Sequence, residues 1–80
     1  MTVLVKWKIQ NTAATGLRIY RSPSYFTKDS LPTVLAEVSP DVEEYEDTTA
    51  NVGENWYMIS SFLDNGYEVF SQPFIPKGRL

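Results

Sequence analysis

The stretch Gly53-Glu-Asn-Trp56-Tyr57-Met58-Ile-Ser-Ser-Phe62-Leu-Asp64-Asn65-Gly66-Tyr-Glu68-Val-Phe70-Ser71-Gln-Pro73 reads as two strands joined by a tight turn. Asn65-Gly66 after Asp64 favours positive φ, the backbone a short hairpin needs to match strand twist. Aromatic and β-branched residues flank the turn on both sides, as paired and largely buried strands require. A hairpin here obliges the rest of the chain to supply strands that fold back over it.

Working outward toward the N-terminus, Val3, Val5, Trp7 and Ile9 alternate with Leu4, Lys6, Lys8 and Gln10. This period of two predicts a strand with Trp7 facing the core and Lys6 and Lys8 facing water. Leu17 to Arg21 alternates again. Thr33–Val38 and Val42–Asp47 read as two shorter strands, with Tyr45 inward on the second. Ser22 to Leu31 is a long surface connection carrying two aromatic residues, Tyr25 and Phe26. No apolar stripe at helical spacing survives over three turns. About six short strands therefore predict an all-β antiparallel sandwich, with a small SH3-like or OB-like barrel as the alternative.

Eighty residues make one domain near the lower limit for a single core. Cysteine and histidine are both absent, which removes disulfides, thiol or imidazole nucleophiles and the usual structural zinc site. A formal charge of −3 with no basic run speaks against nucleic acid. No secretory signal and no membrane-length apolar run is visible, so the expectation is a complete, soluble chain starting at its own Met.

In this order the motifs resemble a fibronectin type III domain over residues 3 to 74. Trp7 resembles that family's strand-B tryptophan, and Gly16-Leu17-Arg18-Ile19-Tyr20-Arg21-Ser22 its strand-C pattern. Tyr45-Glu46-Asp47-Thr48 resembles the Tyr-x-Asp-Thr ahead of strand F, and Gly53 with Trp56 and Tyr57 the lead-in to that strand. Glu68 and Ser71 resemble the strand-G pattern. The resemblance implies an immunoglobulin-like sandwich over 1–74 with a tail over 75–80.

Two departures stand out. The family's corner tyrosine falls on Trp56, so either the register shifts to put Tyr57 at the corner or the corner is lost; the Gly53 spacing favours Trp56 inward with Met58 and Phe62. The family's first strand has no counterpart, since the Trp-bearing strand is reached by residue 7. Its edge is left for the chain's own tail, a neighbour's tail or another protein to fill.

The acidic run Asp41, Glu43, Glu44, Glu46 and Asp47 reads as a solvated face and a turn rather than a catalytic site, for a strand splits it over two faces; calcium stays open, since Asp41, Glu43 and Asp47 offer hard oxygens but show no EF-hand-like spacing. No cofactor is expected. Tyr20, Tyr25 and Phe26 are the candidates for an aromatic platform, with a plug over the core edge as the competing reading. Phe74, Ile75 and Leu80 are candidates for a docking tail. By analogy of fold and chain layout, the chain is expected to be a non-catalytic protein of a tailed-phage virion. It would decorate capsid or tail subunits in many copies by protein–protein contact. The alternative is a carbohydrate-binding or adhesion module of a bacterial surface or extracellular system, acting on a surface glycan.

Overall fold

The computed structural model describes residues 2–8 and 14–76, and the backbone of 78–79. Strands occupy Val3–Lys6 (β1), Gly16–Ser22 (β2), Val34–Val38 (β3), Glu44–Asp47 (β4), Trp56–Phe62 (β5), Glu68–Phe70 (β6) and Gly78–Arg79 (β7). They form two antiparallel sheets, ordered β4-β1-β7 and β3-β2-β5-β6, with no helix among the described residues. The fold is an all-β sandwich. Ile9, Gln10 and Leu80 lie outside the described residues.

Alternation sets the inward faces. Val3 and Val5 are buried, and Trp7 packs against them while its indole N–H donates to the Val42 carbonyl at 2.9 Å. Leu17 and Ile19 of β2 and Tyr57 and Ile59 of β5 meet them from the other sheet. Lys6 and Lys8 are exposed, as their places in the alternation require.

The β5–β6 hairpin forms in the register Ser60↔Phe70, Ser61↔Val69 and Phe62↔Glu68. Its loop is Asp64-Asn65-Gly66: Gly66 N–H donates to the Leu63 carbonyl at 3.0 Å, and Leu63 N–H to the Tyr67 carbonyl at 2.9 Å. Only Gly66, at φ 91°, takes positive φ; Asn65 instead accepts the Tyr67 N–H on its side chain. This is a three-residue loop closing on a left-handed residue, rather than two residues both at positive φ. A Cβ at Gly66 would meet nothing within 4 Å, so only backbone strain opposes substitution. Gly66→Ala should therefore cost about 1 kcal/mol, read as a lower urea midpoint with an unchanged slope.

The inward assignment of Trp56, Met58 and Phe62 is corrected. Tyr57, Ile59 and Ser61 face the other sheet, while Trp56, Met58, Ser60 and Phe62 lie on the outer face. The physical reason is that β5 is buried on both sides. Phe26, from the connection after β2, folds over the outer face and makes a second cluster with Tyr20 and Met58, flanked by Trp56 and Phe70. A strand covered twice shows no usable alternation.

The tail also behaves differently from an appendage. Phe74 exchanges two backbone hydrogen bonds with Tyr57, at 2.8 and 2.9 Å, and its ring packs on the core. The chain then changes sheets, and Gly78 and Arg79 pair with Leu4 and Val3. The edge of β1 away from β4 is thus taken, over Val3 and Leu4, by the chain's own C-terminus.

Candidate functional site

Two carboxylates, one buried between the sheets and one on the outer face, organise the polar side chains. Asp47, at the inward end of β4, has no exposed surface. Tyr57 Oη donates to its Oδ2 at 2.5 Å, and Arg21 Nη1 donates to both oxygens at 3.1 and 3.0 Å. Thr49 adds its backbone N–H and its hydroxyl to Oδ1, each at 3.1 Å. Every one of these donors is placed by local structure: Arg21 and Tyr57 are cross-strand partners, and Thr49 sits in the turn that follows β4. Burial by itself would raise the Asp47 pKa, but the bonds from Tyr57, Arg21 and Thr49 outweigh it and hold the carboxyl below its ordinary value. Burial, and then the bond to Asp47, push the Tyr57 phenol well above its ordinary range.

Glu68, at the start of β6, is the second hub, on the outer face. It accepts from Arg18 Nη1 at 3.1 Å, from Tyr20 Oη at 2.7 Å, and from the Ser60 hydroxyl. Arg18 also bonds Glu37 and lies 4.1 Å over the Phe62 ring. Desolvation again opposes ionisation of Glu68, and the bonds from Ser60, Tyr20 and Arg18 again prevail, lowering its pKa.

The sign of the pH effect follows. A carboxyl group whose folded pKa is depressed stabilises fully above its unfolded pKa of about 4 and loses that contribution as pH falls through the folded value. Urea midpoints measured from about pH 6 to about pH 2 should fall steadily below about pH 4, and Asp47→Asn should flatten that fall. At the other end, the raised Tyr57 pKa adds stability that is complete below about pH 10 and drains above it.

The acidic run does not converge. Glu44 and Glu46 are exposed, Tyr45 and Asp47 turn inward, and Asp47 is fully engaged by protein donors. Among the described residues no group of three His, Cys, Asp or Glu side chains is placed to hold a metal ion.

Of the three platform aromatics, Tyr20 is 3% and Phe26 5% exposed, because both belong to the outer cluster and Tyr20 is held by Glu68. They cover the sheet and offer no surface to a ligand. Tyr25 alone is exposed, at 60%, its ring edge-on to Trp56 with centroids 5.2 Å apart. Of the tail residues, Phe74 serves its own core and Ile75 is 41% exposed.

The surface that stands out shares only Phe74 with those candidates. Among the described residues the sandwich is open between β1 and β6, leaving a cleft of about 520 Å³. Trp7, Leu17, Ile59, Val69 and Phe74 supply its apolar lining, and Lys6 and Lys8 border it as well. Val69 is decisive: it pairs with Ser61 on the face toward the other sheet, yet half of its surface is exposed. The hydrophobic effect buries such a residue wherever a strand is present to cover it. The signal for this site in the sequence was the period-two position of Val69. No family model matches the sequence, and no curated protein or solved structure matches it either.

Proposed function

We propose that this chain is a non-catalytic binding module that works by protein–protein contact through the open side of its sandwich. The half-exposed, inward-facing Val69 carries the reading, because an apolar cleft between two sheets is stabilised by whatever covers it. The two carboxylates with lowered pKa support it too. Each is saturated by internal donors, a structural use of acidity rather than a poised acid or base. The setting is the one that analogy of fold suggests: decoration of a tailed-phage capsid or tail in many copies. The strand order supports the resemblance to fibronectin type III domains, since β1, β4 and β7 stand where strands B, E and A would, and β2, β5 and β6 where C, F and G would.

Light scattering over a concentration series, with the gene's neighbourhood, tests the proposal. Concentration-dependent association that Val69→Asp abolishes, beside capsid or tail genes, supports it. A monomer at every concentration, encoded among unrelated genes, overturns it. The Tyr25–Trp56 pair favours a second reading, recognition of a surface glycan by a ring face. Glycan-array signal that disappears in Tyr25→Ala would select that reading.

A further inference from the structure

Asn65 is the one asparagine in the sequence followed by glycine; the others precede Thr12, Val52 and Trp56. A main-chain nitrogen can attack the side-chain amide carbon of the asparagine before it. A glycine nitrogen is the least hindered to do so, since no side chain crowds it or restricts its φ. Asn65 and Gly66 are both exposed at the tip of the β5–β6 hairpin. Asn55, by contrast, is buried, and its amide is held by the backbone of Asn51 and Gly53. The folded turn occupies both reacting groups of the exposed pair. Gly66 N–H donates to the Leu63 carbonyl at 3.0 Å, and Asn65 Oδ1 accepts the Tyr67 N–H at 3.0 Å.

We propose that Asn65–Gly66 is a self-modification site gated by the hairpin: the closed turn holds the reaction off, and one of its products cannot close the turn again. When the turn opens, the Gly66 nitrogen gives its proton to solvent base and bonds to Asn65 Cγ. The Cγ–Nδ2 bond breaks, and the amide nitrogen leaves as ammonia. Water then opens the cyclic imide. Breaking the bond from Gly66 N to Cγ leaves aspartate at 65. Breaking the bond from Gly66 N to the Asn65 main-chain carbonyl carbon leaves isoaspartate, with Cβ now in the main chain. Overall, water is consumed, ammonia is released and a neutral amide becomes a carboxylate; nothing is oxidised or reduced. Aspartate keeps an oxygen for the Tyr67 N–H. Isoaspartate lengthens the loop by one main-chain atom, so Leu63 and Tyr67 no longer meet in register. β6 follows directly, with Glu68 held by Arg18, Tyr20 and Ser60, and with Val69 at the cleft. This chemistry does not depend on what meets Val69.

The test follows the full chain by peptide mapping and mass spectrometry during incubation in mildly alkaline buffer, once native and once in denaturing urea. Conversion of amide to acid should concentrate at Asn65. It should run at least about tenfold slower in the native protein, because the bonds of Gly66 and Asn65 to Leu63 and Tyr67 must break first. Asn65→Ser, whose hydroxyl can still accept the Tyr67 N–H, should stay unmodified at that position in both conditions. The isoaspartate form, purified by ion exchange, should melt about 5 °C or more below the parent. Asn65→Asp should melt close to the parent, which separates the altered linkage from the added charge. Equal rates in buffer and urea, faster conversion in urea at any other asparagine, or an isoaspartate form that melts with the parent would each overturn the proposal.

Discussion

Replacing Asp47 with alanine is expected to lower the unfolding free energy by about 3 kcal/mol, and the melting temperature by about 15 °C. The size follows from what is left behind. Arg21 loses its carboxylate, and the Tyr57 hydroxyl, on a residue with no exposed surface, loses its acceptor. The Arg21 side chain keeps 20% exposure, so water relieves part of the cost and the loss stays near the low end for a broken buried pair. Asp47→Asn keeps the shape and one acceptor oxygen and should cost less. Tyr57→Phe removes only the hydroxyl and should cost about 1 kcal/mol. Combined with Asp47→Ala, it should add little, because the two changes delete the same bond. Thermal melts of the four proteins decide this; additive losses would mean that Tyr57 and Asp47 do not act as a unit.

Truncation after Pro73 is the second large effect. It removes the Phe74 ring, its two backbone bonds to Tyr57, and the β7 pairing with Val3 and Leu4. A half-buried aromatic ring is worth about 2 kcal/mol or more and each backbone bond about 1 kcal/mol, so the loss reaches about 4 kcal/mol. That equals the lower end of what an 80-residue domain possesses, about 4 kcal/mol. The truncated chain should therefore be largely unfolded at room temperature, with collapsed dispersion in its amide NMR spectrum, and Phe74→Ala alone should melt well below the parent. A truncated chain with a native spectrum would show that the tail is an appendage after all. Loss of assembly on removing the tail cannot then be read as loss of a docking arm until the fold has been measured.

Local alternation and turn chemistry are short-range, and they were legible. Val3, Val5 and Trp7 sit inward because one face of β1 meets a core and the other meets water, and the β5–β6 hairpin closes on Gly66 because the backbone there needs positive φ. The orientation of β5 was not legible. Trp56-Tyr57-Met58-Ile59 is apolar without interruption, and which half faces inward depends on Phe26, thirty positions away, covering the outer face, and on Asp47 waiting for the Tyr57 hydroxyl. The same limit hid the contrast between the buried Tyr20 and the exposed Tyr25.

The sequence by itself determined the class of fold, the strand count to within one, and the inward side of β1, β2 and β4. It did so because side-chain period and turn backbone are properties of neighbours in the chain. Only the tertiary structure decided that the C-terminus pairs with the edge of β1 at Val3 and Leu4, and that, among the described residues, a cleft opens at Val69 with Lys6 and Lys8 beside it. Those outcomes depend on how far two sheets joined at a distance can close over one another, which no local pattern encodes.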